Sequence, residues 1–231
     1  MTRPGTQRLL VLNAGSSSIK FAIFDEELTE VISGLAEGIG GASRLKVGSE
    51  IRQGPFIDHR AALNAILSAL RDLGLSPETL TAAGHRAVHG GRKLTRPVRI
   101  SPEVRAEIAA CSPLAPLHNP HNLAAIDTLA GLAPELPQFA SFDTSFHATN
   151  PDVATRYAIP RMEETKGIRR YGFHGLSYAS LVRRLPEVSQ APLPSRLLAF
   201  HLGNGASICA ILNGASIATT MGYSPLDGLT M

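Results

Sequence analysis

The stretch "RLLVLNAGSSSI" (8–19) returns late in the chain as "RLLAFHLGNGASI" (196–208). Both copies open on Arg-Leu-Leu, both place a glycine seven residues on, and both start the next apolar run with Ser-Ile. The second loop is longer by one residue. Each copy reads as two β-strands around a glycine-rich loop. Two apolar hairpins share some features by chance; the alternative is an internal duplication giving two related half-domains. On the second reading each half offers a turn whose backbone N–H groups converge on one point, an anion nest. Two such nests suit a polyphosphate.

Outward from these hairpins, strands alternate with helices, which predicts an α/β protein. "RLLVLN" (8–13) and "IKFAIFD" (19–25) are the first strands. "HRAALNAILSALRDLG" (59–74) carries Ala62, Leu63, Ile66, Leu67, Leu70 and Leu73 on one helical face, with Gly74 placed as a C-terminal cap. "TAAGHRAVHGG" (81–91) predicts a short buried strand running into a glycine turn. Ser101-Pro102-Glu103 predicts a second helix, because serine caps and proline is tolerated in a first turn. "SPLAPLHNPHN" (112–122) is expected to be irregular, since proline removes donors and restricts its neighbours. "LPQFASFDTSFH" (136–147) reads as a strand ending at an acid, and "LPEVSQAPLPS" (185–195) as a surface loop. "RLLAFHLG" (196–203) and "ASICAILNG" (206–214) are the last two strands.

The 231 residues are 44% hydrophobic and 18% charged, the balance of an ordinary soluble protein with length to bury a core. A net charge of +3, with no basic run longer than Arg169-Arg170 or Arg183-Arg184, argues against a nucleic-acid partner. The N-terminal apolar run is too short for a signal peptide or a span, and no later run approaches spanning length, so no membrane partner is expected. Cys111 and Cys209 form neither a metal spacing nor a disulfide framework, which makes a reducing cytoplasm the default.

Several residues are candidates for chemistry. Asn13, Gly15, Ser16, Ser17, Ser18 and Lys20 offer amides, hydroxyls and a cation at one strand end, yet lack the P-loop spacing. A plain hairpin turn and a phosphate site explain this loop equally well. His85 and His89, four apart, read as lying on one side of a strand with poor metal geometry. His118 and His121 would need help from elsewhere, and no cysteine or carboxylate cluster completes either pair. Asp143 after an apolar strand is either a buried cap or a catalytic group. Arg86, within a mostly apolar strand, needs an anionic partner, either a protein carboxylate or a substrate. His174 in "RYGFHGLS" (170–177) stands between glycines, where the backbone must bend or approach something closely.

Taken together, "VLNAGSSSIKF", "GHRAVHGG", "APLHNP", "FDTSFH", "RRYGFHG", "HLGNGAS" and "TTMGYSPLDGLTM" resemble the acetate kinase family of carboxylate phosphotransferases, in the family's order and over nearly the whole chain. The resemblance implies the actin-like ATPase (ribonuclease H-like) fold, with duplicated α/β halves and the second half incomplete in this chain. It implies reversible transfer of the ATP γ-phosphoryl to acetate, giving ADP and acetyl phosphate, with propionate as the competing acid. Arg86, His118, Asp143 and His174 match the family's catalytic positions. Val88, Leu117, Phe173 and Pro225 match its pocket for the acetate methyl. Ser16, Ser18 and Lys20 match the first phosphate loop, and His201, Gly203, Asn204 and Gly205 the second. Asn13 matches the magnesium site, so Mg2+ and ATP/ADP are the implied cofactor and cosubstrate. A cytoplasmic homodimer is the implied full-length form.

Two departures stand out. Leu176 and Tyr178 occupy positions where the family usually has threonine and histidine. The family motif beginning "MGYSPLDGLTM" normally runs on, whereas this sequence stops at Met231. The expected organisation is a first domain at 1–149 and the opening of a second at 150–231. Such a fragment is expected to expose apolar strand surface and to be weak or inactive alone. A non-catalytic nucleotide-binding half of a split protein is the alternative from a different class.

Overall fold

The computed structural model describes residues 7–230. Two compact units divide the chain. The first takes the chain up to Ala87 together with Val98–Ala109 and Pro116–Ala140; the second takes Val88–Pro97, Ala110–Ala115 and everything from Ser141 onward. Among the described residues no helix is long and apolar enough to cross a membrane.

The first unit is organised by strict alternation. Strand β1 (Leu9–Ala14) buries Leu10, Leu12 and Ala14, and β2 (Ser18–Phe24) buries Ile19, Phe21 and Ile23, the period of a strand with one covered face. β3 (Glu30–Glu37), β4 (Arg44–Val47) and β5 (Glu50–Gln53) extend the sheet as an antiparallel meander. Helix α1 (His59–Asp72) then lays Leu63, Ile66, Leu67 and Leu70 into the core. Asp58 caps its start by accepting from Ala61 N–H at 2.7 Å. Gly74 N–H to Arg71 O and Leu75 N–H to Leu70 O, both 2.9 Å, close its end in the Schellman pattern. Because the helix stops at Asp72, Leu73 leaves the apolar face on which the sequence placed it and is half exposed.

β6 (Ala82–Ala87) returns parallel to β1, with Leu12 opposite His85. β7 (Val98–Arg99), α2 (Pro102–Ala110), α3 (Asn119–Leu132) and β8 (Gln138–Phe142) follow, and the sheet order is β5-β4-β3-β2-β1-β6-β8-β7. Ser101 caps α2 as expected, its hydroxyl accepting from Val104 N–H at 3.3 Å. The irregular stretch expected at 112–122 is a correction: a 3-10 turn covers Ser112–Leu114 and α3 is already running at Asn119. Pro120 falls in the first turn, where its missing N–H has no intrahelical partner to lose. The two histidines of "HRAVH" also separate, because β6 ends at Ala87 and His89 lies beyond it.

In the second unit a 3-10 segment (Ser145–Thr149) precedes the short helices α4 (Asp152–Thr155) and α5 (Arg161–Thr165). Helix α6 (Gly175–Ser189) comes next, then β9 (Arg196–His201), β10 (Ser207–Leu212) and β11 (Ala215–Thr219), paired in the order β11-β10-β9. The loop expected from 185 onward is helical to Ser189. Pro186 sits near the end of α6, where it releases only the bond back to Val182. The repeat seen in the sequence is a repeat of structure, since β1-β2-β3 and β9-β10-β11 are both antiparallel meanders. Tyr178, Ala199, Cys209 and Ile211 form the core between α6 and this sheet. The alternate residues of β9, Leu198 at 62% and Phe200 at 56% exposure, lie open. A strand apolar on both faces has the composition of one covered on both sides.

Candidate active site

In the first unit the turn between β1 and β2 is tied down from several directions. Gly15 N–H donates to Ser18 O at 2.8 Å, closing the hairpin. Asn122 Nδ2, reaching from α3, donates to Ala14 O at 2.8 Å, and His59 Nε2–H donates to Gly15 O at 2.6 Å. His121 stacks on His59 with ring centroids 5.2 Å apart, and burial together with the charge of His59 holds its pKa below the ordinary value. Ser16 and Lys20 remain exposed on the held turn, with Ser18 half-buried. Lys20 lies directly across the ladder from Asn13. One strand over, Arg86 NH1 donates to Asn13 Oδ1 at 3.2 Å. Two of the residues singled out by sequence are thus in contact. His118 is half-buried and precedes α3, its carbonyl accepting from His121 and Asn122 N–H. Leu117 is 65% exposed. His85, buried, donates from Nε2 to Gln138 Oε1 at 2.7 Å, and burial lowers its pKa to about 4; it is a neutral structural histidine. Among the described residues no group of three or more His, Cys, Asp or Glu is placed to hold a metal.

In the second unit, the glycines around His174 are there for room. Gly172 holds φ +76°, a conformation glycine adopts without cost. A Cβ on Gly175 would lie 2.3 Å from Asp143 O, the atom that accepts Gly175 N–H at 2.8 Å. So the buried Asp143, at the end of β8, is locked by its backbone to the first residue of α6. His174 itself sits at φ 61°, ψ 17°, a left-handed geometry that costs a side-chain-bearing residue about 1–2 kcal/mol. Such outliers persist where the surroundings over-determine them. Here the ring of His201 stacks on His174 at 3.9 Å, and a Cβ at Gly205 would come within 3.2 Å of His174 Nε2. The second glycine loop therefore faces Nε2. Val88 and Phe173 are buried in one apolar cluster with Ala115 and Met221. Pro225, farther along the segment after Met221, is half-buried.

Behind His174 lies a buried hydroxyl pair. Ser207 Oγ is 2.8 Å from His174 Nδ1 and 2.5 Å from Tyr178 Oη. One arrangement of protons has the Tyr178 O–H donate to Ser207 Oγ. Ser207 in turn has its own proton to give to His174 Nδ1. In that arrangement the His174 ring N–H is on Nε2, facing the loop. Burial pushes the Tyr178 pKa up, keeping the phenol protonated.

A second network holds the peptide before His174. His147 Nε2 is 2.9 Å from Phe173 O, a pure acceptor, so Nε2 carries the proton. Burial lowers the His147 pKa, and Nδ1 lies 2.8 Å from Ser216 Oγ. Ser216 Oγ in turn donates to Asn150 Oδ1 at 2.7 Å. Sequence reading missed Ser207, Tyr178 in this role, His147 and Ser216. Only Tyr178 carried a local signal, four residues after His174 on one helix.

The Acetokinase family model matches residues 8–231. The acetate kinase of Deinococcus radiodurans is 47% identical over 230 residues, covering 96% of this chain and 58% of that one. The acetate kinase of Rhodopseudomonas palustris is 47% identical over 236 residues, covering 96% of this chain and 59% of its own. Among solved structures, a propionate kinase from Francisella tularensis superposes with TM-score 0.91 at 36% identity, covering 97% of this chain and 60% of that one. Porphyromonas gingivalis acetate kinase superposes with TM-score 0.86 at 39% identity, with the same coverage. The chain thus spans about 58% of the length of these curated relatives.

Proposed function

The chain belongs to the acetate kinase family, and from that premise we propose that the complete protein is an ATP:acetate phosphotransferase, moving the γ-phosphoryl of ATP to acetate and back. The fold is that of its relatives, the actin-like ATPase arrangement with a repeated α/β meander. The observation that carries the functional reading is His174: held left-handed, backed by Ser207, and with Nε2 facing the glycine loop at 203–205. With the ring proton on Nε2, His174 would hydrogen-bond a phosphoryl oxygen in flight. Phosphoryl transfer asks mostly for positioning and for neutralisation of charge on the transferring group. Arg86 is assigned to that neutralisation, with His118 and Asp143 shaping the site. Ser16, Ser18 and Lys20 are assigned to one set of phosphate contacts, and His201, Gly203, Asn204 and Gly205 to another.

Magnesium suits Asn13. The Oδ1 carbonyl is a hard donor with two lone pairs, of which Arg86 takes one. When bound, the ion would neutralise charge on the nucleotide phosphates. Val88 and Phe173, with Leu117 and Pro225, are assigned to the methyl of acetate. A hydrophobic pocket separates acids differing by one methylene by only ~1–3 kcal/mol, and a propionate kinase is among the relatives, so propionate is the second substrate reading. For the full-length protein we further propose domains at 1–149 and from 150 onward, a homodimer, and a cytoplasmic location. The separate compact unit that resumes at Ser141 supports a boundary in this stretch, and the open apolar face of β9 supports assigning activity to the longer protein.

The test is acetate-dependent ADP formation by the complete open reading frame, with kcat/KM compared for acetate and propionate. ATP binding without transfer to either acid would point instead to a nucleotide-binding module.

A further inference from the structure

The second unit contains a cationic cavity that none of the assigned roles uses. Its volume is about 150 Å³, several times the ~30 Å³ share of one liquid water. Arg92, Arg169 and Arg170 all line it, with Thr95, Thr144 and Tyr171. No carboxylate is among its lining residues. Arg170 is engaged by neutral groups only: NH1 donates to Thr220 O at 3.1 Å, and the guanidinium lies 5.2 Å from the Tyr157 ring centroid. Among the described residues Arg92 and Arg169 have no acidic partner within salt-bridge distance. Both charges nevertheless act on one atom, the Tyr171 hydroxyl, whose pKa burial raises and these two arginines pull back down. Two like charges directed at one half-enclosed space are held there against their mutual repulsion.

We infer that this cavity is a binding site for a phosphate-class oxyanion, clamped between Arg92 on the segment after "HGG" and Arg169 at the start of "RRYGFH". The chemistry favours a phosphate over a carboxylate. Two uncompensated guanidinium forks match the charge of a phosphate near −2 at neutral pH, and its oxygens can accept both forks at once. Thr144 adds a donor: its Oγ1 already accepts Gly90 N–H at 3.1 Å, leaving its own proton to give. An anion bound here ties Arg169 and Tyr171 to Arg92, and so stiffens the strip that leads to Phe173 and His174. The site stands whether or not the acetate kinase reading holds.

The test uses inorganic phosphate as the probe and the complete protein, read by isothermal titration and by 13Cζ-tyrosine NMR. Bound phosphate cancels the two positive charges, so the Tyr171 resonance, identified with Tyr171→Phe, should titrate at higher pH. Arg92→Gln, an exposed position with little risk to folding, should weaken phosphate binding about tenfold, as expected for one charge-assisted hydrogen bond. Arg92→Lys, which keeps charge but loses the fork, should fall between, and Arg92→Gln with Arg169→Gln should abolish the Tyr171 response. Lys20→Ala should leave that response intact, which separates this cavity from the phosphate loop. A Tyr171 titration unmoved by phosphate overturns the inference. So does an equal shift with chloride at matched ionic strength, or phosphate affinity unchanged in Arg92→Gln.

Discussion

Replacing Tyr178 with phenylalanine removes one oxygen and tests the proton arrangement directly. In the proton arrangement under test, Tyr178 O–H donates to Ser207 Oγ and Ser207 donates to His174 Nδ1, across contacts of 2.5 and 2.8 Å. Without the phenol, Ser207 is free to accept instead, and the imidazole proton moves to Nδ1. Nε2 then presents a lone pair to an anionic phosphoryl group in place of a donor. A hydrogen bond to a charged acceptor is worth about 1.5–3 kcal/mol, so losing it in the transition state lowers kcat by roughly 10- to 150-fold at 1.36 kcal/mol per decade. The KM for ATP should stay within about twofold, since the nucleotide base and ribose make no use of this atom. Loss of a buried hydroxyl pair should also cost about 1 kcal/mol of stability, visible as a lower urea midpoint. Tyr178→His should recover most of kcat because an imidazole N–H can again donate to Ser207. Steady-state acetyl phosphate formation by the three proteins decides the matter. If Tyr178→Phe keeps wild-type kcat while its urea midpoint falls, the phenol is a packing group and the tautomer reasoning is wrong.

Arg86→Ala in the complete enzyme should lower kcat by on the order of 10³-fold while ATP affinity by titration changes little; equal losses in both would remove the charge-neutralising role. Gly175→Ala drives a methyl toward a backbone carbonyl that cannot step aside, so an unfolding free energy lower by about 1–3 kcal/mol is expected, together with a kcat loss larger than that of an Ala substitution elsewhere on α6. His85 makes stability pH-dependent. Its folded pKa of about 4 lies below the ordinary 6.5, so its contribution is complete above pH 6.5 and is lost as pH falls toward 4, by about 3 kcal/mol at 1.36 kcal/mol per pH unit. Urea titrations of wild type and His85→Gln at pH 7.5 and 5 should show a steeper loss for wild type.

What the sequence made legible was whatever a short window contains. Alternation announced β1, β2, β9 and β10, helical periodicity announced α1, and Arg-Leu-Leu with its glycine announced the repeated hairpin. Strands β3 to β5 and helix α3 escaped because their signals are mixed. β5 has no buried residue, and the proline at the start of α3 reads equally as a helix's first turn or as a break. The site divided in the same way. Glycines 172 and 175 said that something approaches His174 closely, without naming the Asp143 carbonyl that does. Tyr178 was visible as a departure from the family pattern and invited a reading as packing. Its partner Ser207 lies 29 residues away in sequence, at the first residue of β10, just past a loop where the sequence drew attention to glycines and asparagine. Proton positions belong to the network as a whole. Either hydroxyl of the Tyr178–Ser207 pair can be the donor, and that choice sets whether the Ser207 proton is left for His174 Nδ1. A residue can thus differ from its relatives and still fill the same role, so long as it offers a proton at the same point in space.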